Sequence, residues 1–165
     1  KPILYLANID EASLVDVNQN ANLTKLQNKF SDGSLIYLCG KIEMDISAMD
    51  DEDKDLFLAE YNLNEPGLHK LIHKGYQLLG LETFFTAGDK AVKAWTIHQG
   101  SSAPQAAGVI HTDFERGFIK AEVYTYNDLM QFKSENNIKE NGKLRQEGKN
   151  YIVKDGDIIF FKFNV

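Results

Sequence analysis

At 165 residues, with 43% apolar side chains and a formal charge of −6, the chain has room for one ordinary domain or two small ones with a real core. No stretch approaches the ~20 apolar residues that span a bilayer, no leader pattern opens the sequence, and the single cysteine, Cys39, has no internal disulfide partner. A membrane-spanning helix and a disulfide scaffold are excluded, and the expectation is a cytoplasmic protein without a membrane partner. Residues Lys1–Leu81 carry 7 basic and 13 acidic side chains, and Glu82–Val165 carry 11 of each. Overall charge therefore offers no nucleic-acid footprint, and any RNA contact would need a local patch.

The chain opens on Lys1 rather than Met and runs straight into Ile3–Ala7, as the interior of a longer polypeptide would. That apolar run reads as a strand buried on both faces of a parallel sheet. Leu23, Leu26 and Phe30 recur at helical spacing, Asp32-Gly33 signals a turn, and Leu35–Cys39 reads as a second buried strand. Strand, crossover helix and strand together predict an α/β architecture. The acidic cluster Asp50–Asp55 reads as a helix start, because carboxylates in a first turn favour the macrodipole, rather than as a metal site. Asn64-Glu65-Pro66 opens a further helix with Leu68, Leu71, Ile72, Leu78 and Leu79 on its apolar side, and Gly80 stops it. The domain boundary is placed there.

Beyond Gly80 the pattern changes. Leu81–Thr86 and Ala91–Ile97 predict a hairpin across Ala87-Gly88-Asp89. Ser102 caps a helix from Ala103-Pro104 to Ile110. Phe118–Thr125 is strand-like, Asn127–Phe132 is a short helix, and Tyr151–Val153 and Ile158–Phe163 are strands flanking the Asp155-Gly156 turn. Two strands, a helix and further strands describe an α+β sheet with a helix across one face, an order that fits a β-grasp (ubiquitin-like) fold.

The string TFFTAGDKAVKAWTIHQGSSAPQAAGVIHTDFERGFI (83–119), with Glu147–Val153 and Asp155–Val165, resembles the TGS domain of the Obg-like ATPase (YchF) family. Pro2–Glu11 resembles the strand and base-recognition loop of that family's nucleotide domain. The resemblance covers the whole chain. It implies residues 1–80 as the C-terminal portion of a P-loop NTPase domain lacking the P-loop, and 81–165 as a TGS domain of β-grasp type.

On that resemblance Asn8, Ile9 and Glu11 form an N-x-x-E variant of the GTPase N-K-x-D loop. Asn8 would bond the base edge, Ile9 would lie near its face, and Glu11 would be the relic of the guanine-reading Asp. The extra methylene of Glu11 moves the carboxylate and costs the bidentate geometry, a departure that in this family accompanies adenine over guanine. Cys39, Gly40 and Lys41 stand where GTPases carry a Ser-Ala-Lys loop touching the base through backbone N–H groups, with Gly40 permitting close approach. Without the resemblance, Asn8–Glu11 reads as a capped strand-to-helix turn, while Cys39-Gly40-Lys41 reads equally well as a buried strand end. The parent is expected to bind and hydrolyse ATP, with GTP as the alternative, using magnesium, and to associate with the ribosome through ribosomal RNA or protein. The segment Gly75–Gly80 has two glycines at P-loop spacing but is followed by Leu81-Glu82, not Lys-Ser/Thr, and is rejected as a phosphate loop. This chain alone is therefore expected to be inactive and to bind no nucleotide tightly.

No catalytic or metal site is assigned. His69 and His73, at i, i+4, have a metal-capable spacing but no third ligand, and read as a solvated helix face. The His111-Thr112-Asp113 string with Glu115 invites acid–base chemistry, yet reads better as a structural or recognition element. Lys90, Lys93, His98, His111, Arg116 and Lys120, with Trp95, are the candidate RNA or partner surface. Against this stands a plain alternative in which Trp95 is core and the lysines solubilise. The rival function is a nucleotide-independent TGS adaptor that binds RNA, ribosome or protein.

Overall fold

The sequence expectations meet a computed structural model that describes residues 1–88 and 91–164, in which the chain divides into two compact units, Lys1–Leu79 and Gly80–Val165. In the first unit β1 (Tyr5–Asn8) and β2 (Leu35–Leu38) pair in parallel, with Asn8 beside Leu38. The crossover is made by α1 (Glu11–Val15), a 3-10 turn (Val17–Gln19) and α2 (Ala21–Lys29). Each start has a side-chain acceptor. Asp10 takes the Ser13 N–H at 2.7 Å, and Asn20 takes those of Asn22 and Leu23. Leu23 is buried beneath α2.

α3 (Gly40–Ser47), α4 (Asp51–Glu60) and α5 (Gly67–Leu79) follow β2. Leu14, Cys39, Ile42, Ile46 and Leu58 form the core of this unit, with Ile9, Tyr37, Phe57, Tyr61 and Leu63 packed against it. The acidic cluster is a helix start as expected: Asp50 accepts from the Asp53 N–H at 3.0 Å, and Asp51, Glu52 and Asp53 fill the first turn of α4. Gly80, at φ +61°, follows α5 in the left-handed region that favours glycine at a helix end. One expectation fails. The first strand begins at Tyr5 rather than Ile3 and is not buried on both faces, since Ile3, Tyr5 and Leu6 are exposed on a two-stranded sheet.

The second unit is a five-stranded mixed sheet in the order β4-β3-β7-β5-β6. Its strands are β3 (Leu81–Gly88), β4 (Ala91–His98), β5 (Phe118–Tyr124), β6 (Arg145–Glu147) and β7 (Ile158–Phe163). β3 and β7 run parallel, and the other neighbours are antiparallel. The β3–β4 register, Phe84 against Trp95, pairs the two runs the sequence predicts as a hairpin, but Ala87 and Gly88, expected in the turn, are strand residues paired with Val92 and Ala91, and Asp89 lies outside the described residues. α6 (Ala103–Ile110) lies on the face carrying Phe84, Ile97, Ala121, Val123, Ile159 and Phe161, and its fully buried Ala103, Ala106 and Ala107 let it sit close. Ser102 and Gln105 complete its capping box.

α7 (Thr112–Arg116), α8 (Tyr126–Phe132) and α9 (Glu135–Glu140) complete the unit. A second cluster of Tyr124, Ile138 and Ile158, with Phe85, Leu129, Phe132 and Leu144, uses the alternate residues of β3, β5 and β7. Tyr151–Val153, expected as a strand, makes only an isolated bridge from Ile152 to Ser102. The strand partner of β5 on that side is instead β6, whose polar Arg-Gln-Glu composition hid it.

Candidate functional site

The two loops singled out in the first unit emerge from adjacent parallel strand ends and are tied together. The Asn8 Oδ1 accepts the Gly40 N–H at 3.0 Å, and the Ile9 N–H donates to the Leu38 carbonyl at 2.9 Å. A Cβ at Gly40 would lie 3.4 Å from that same Asn8 oxygen, so the residue sits in close contact with the amide. Glu11 opens α1, Lys41 is the second residue of α3, and their side chains pair at 2.5 Å. This pair raises the Lys41 ammonium above the usual lysine range, first through the hydrogen bond and then through the charge of Glu11. Asp10, held below the usual carboxylate range by Ser13, is committed to capping α1.

Ile9 is half-buried against the core cluster and also lines a cavity of about 330 Å³ with Ala7, Asn8, Asp10, Asn20, Asn22, Leu23 and Leu26. Cys39 is buried at the end of β2. Thus Asn8, Ile9, Glu11, Cys39, Gly40 and Lys41 share one region, with Asn8, Glu11, Gly40 and Lys41 at its surface or half-buried rim.

Two nearby residues escape a sequence reading. The Glu43 carboxylate accepts the N–H groups of Gly67 at 2.7 Å and Leu68 at 3.0 Å, capping α5 across 24 residues. The available signal is that Pro66-Gly67 opens a helix without Ser, Thr, Asp or Asn beside it, so its N–H groups need a remote acceptor. Tyr61 feels Glu11: burial first, and then the Glu11 charge, push its phenol up. Gly75 lies inside α5, which bears out the rejection of the Gly75–Gly80 string as a phosphate loop. His69 and His73 are both exposed on α5. Among the described residues no three His, Cys, Asp or Glu side chains converge as a metal group.

The surface residues of the second unit do not form one strip. Lys93 and Trp95 belong to the α6 side of the sheet, with the ammonium 5.8 Å from the indole centroid and the indole N–H donating to Thr86 at 2.9 Å. Trp95 packs against the core, as the plainer alternative holds. Strand alternation puts His98 and Lys120 on the opposite side. There Lys120 donates to Gln146 at 3.0 Å, and Glu122 stands 3.7 Å from Lys120 and 3.6 Å from Lys162. His111 is the N-cap of α7, its Nδ1 accepting from the Asp113 N–H at 3.2 Å, and Arg116 closes that helix on the surface. Lys90 lies outside the described residues.

The buried charge of this unit is Asp157, 3% exposed. It accepts from the Tyr151 hydroxyl at 2.7 Å, the Lys154 N–H at 2.9 Å and the Arg145 guanidinium at 3.3 Å. Burial, reinforced by Asp157, pushes the Tyr151 phenol up to about 12.

A parallel strand pair ending in cross-tied loops is joined in sequence to a mixed five-stranded sheet, which makes an α/β chain. A solved structure of the Schizosaccharomyces pombe YchF GTPase superposes on 98% of this chain and 43% of its own, with a TM-score of 0.84 and 36% identity. The chain belongs to the YchF-GTPase_C family, described as a protein of unknown function (DUF933), which it matches over residues 81–164. It is 50% identical to the ribosome-binding ATPase YchF of Haemophilus ducreyi over 100% of this chain and 45% of that protein. It is 47% identical to the Obg-like ATPase 1 of Pongo abelii, over 99% of this chain and 42% of that protein. The chain thus spans a little under half the length of these curated relatives.

Proposed function

We propose that this chain is the C-terminal part of a ribosome-associated, cytoplasmic Obg-like P-loop NTPase. In this reading residues 1–80 complete the nucleotide domain and residues 81–165 are its TGS domain. The central parallel β3–β7 pair, flanked by β4 and by β5–β6 with α6 across one face, supports a β-grasp assignment for the second unit. The parent binds and hydrolyses ATP, with GTP as the alternative, and its phosphate loop and magnesium ligands belong to residues outside this chain. Ribosomal RNA or protein is met through the TGS domain, with Lys90, Lys93, His98, His111, Arg116 and Lys120 as separate contact points rather than one patch.

The observation that carries the nucleotide reading is the Asn8–Gly40 hydrogen bond. It commits the amide oxygen to the protein and leaves Nδ2 as the donor a purine ring nitrogen would meet. Glu11 and Lys41 form the rim, Ile9 adds an apolar flank, and the Cys39-Gly40 backbone supplies the approach surface. Asn8→Ala in the full-length parent is expected to weaken adenine-nucleotide binding about tenfold, one hydrogen bond of this kind being worth roughly that factor. An unchanged affinity in a competition titration refutes the base site. In a ribosome sedimentation assay of the same parent, binding that responds to ATP supports the coupled NTPase, and binding indifferent to any nucleotide supports the adaptor.

A further inference from the structure

We infer that Lys41 sets base specificity by holding the Glu11 carboxylate out of reach of guanine. Guanine offers a ring N–H and an amino group side by side, and a carboxylate takes both; adenine offers no such pair of donors. Glu11 occupies the loop position from which a carboxylate would read that edge, and a lengthened side chain alone does not abolish an acceptor on a flexible stem. In this structure the Glu11 oxygen is engaged by the Lys41 ammonium at 2.5 Å. The engagement is framed by two further ties between the same loops, Asn8 to Gly40 and Ile9 to Leu38, which fix the backbone from which both side chains extend.

Lys41 is a positioning residue here, because it acts through Glu11. Its side chain is 69% exposed and that of Glu11 is 40% exposed, so the pair is held by a modest, salt-screened attraction rather than by burial. A latch of that strength shifts a preference and does not create an absolute one. It also makes the preference depend on ionic strength, which a purely steric account of the Glu11 methylene does not. The raised Lys41 pKa, caused first by the Glu11 hydrogen bond, agrees with a pair that persists through neutral pH.

The inference rests on the base-site reading, so the experiment separates the two. Ribose-labelled fluorescent ATP and GTP are titrated into the full-length parent as wild type, Lys41→Met, Lys41→Arg and Asn8→Ala, at about 0.05 and 0.5 M salt. Lys41→Met is expected to shift the ATP-to-GTP preference toward GTP by about two- to fivefold, the range of an exposed pair, and to remove its salt dependence. Lys41→Arg restores the wild-type ratio, and high salt moves the wild type toward the Lys41→Met ratio. An unchanged ratio in Lys41→Met, with Asn8→Ala still weakening binding, overturns the role of Lys41 and leaves the base site standing. No effect of Asn8→Ala overturns both.

Discussion

Removing the Asp157 carboxylate tests whether the second unit is held by its buried polar cluster or by its apolar sheet alone. Asp157→Ala removes the acceptor that stands 2.7, 2.9 and 3.3 Å from the Tyr151 hydroxyl, the Lys154 N–H and the Arg145 guanidinium, although Arg145 keeps the Tyr151 oxygen at 3.2 Å. The Arg145 side chain is 38% exposed and keeps Glu147 at 3.6 Å, so the loss is that of hydrogen bonds to a buried carboxylate rather than of a fully buried ion pair, about 2–3 kcal/mol. A unit of this size has roughly 4–13 kcal/mol of stability in total, so the loss is a large fraction of it. Tyr151→Phe removes one neutral donor and should cost about 1–2 kcal/mol. The assay is urea unfolding followed by Trp95 fluorescence, and because Trp95 is the chain's single tryptophan the signal reports this unit specifically. A loss below about 1 kcal/mol for Asp157→Ala would refute the reasoning and place the stability of the turn in the backbone bonds alone.

Three further outcomes follow from the same geometry. The Tyr151 phenol, raised to about 12 by burial and then by Asp157, should stabilise the fold fully below its unfolded pKa near 10. That contribution is lost as pH rises toward 12, and after allowance for partial exposure should amount to about 1 kcal/mol; a Tyr151→Phe chain that loses the same amount over that range contradicts the assignment. In the first unit, a Cβ at Gly67 would meet Leu38 Cβ at 2.7 Å and Glu43 Oε1 at 2.9 Å. Gly67→Ala should therefore cost about 1–3 kcal/mol in thermal unfolding followed by far-UV circular dichroism, and a neutral result would mean the α5 cap yields freely. Lys133 sits at φ +65° at the end of α8, so Lys133→Gly should stabilise by about 0.5–1 kcal/mol. A lower melting temperature for that variant would show that its backbone entropy outweighs the relieved strain.

Elements with strong local grammar were legible from sequence. The Leu81–Thr86 and Ala91–Ile97 runs pair in the structure, Ser102 opens α6, and the acidic cluster at Asp50–Asp55 starts α4. What escaped has little local signal. β6 is Arg-Gln-Glu and exists because β5 offers it an edge, while α7 and α9 are short helices each held by one principal apolar side chain, Phe114 and Ile138. Tyr151–Val153 misled for the opposite reason: it is apolar, yet Val153 fills the core and Tyr151 serves Asp157 without a ladder. At the two loops of the first unit, residue types pointed to the strand ends, but the Asn8–Gly40 and Glu11–Lys41 ties join residues some thirty positions apart. No spacing rule encodes such pairings, and the same holds for Glu43 on α5.

The order β4-β3-β7-β5-β6 places the last strand of the chain at the middle of the sheet. Until β7 arrives, the β3–β4 hairpin and the β5–β6 ladder are two separate ribbons, each with an unsatisfied inner edge. Their joining waits on contacts that span more than seventy residues, such as Phe85 to Ile158. Closure of that long loop makes assembly of this unit a late and comparatively slow event. A nascent or prematurely ended polypeptide lacking β7 would present both inner edges at once, and so would be a ready substrate for aggregation, for chaperones or for proteolysis.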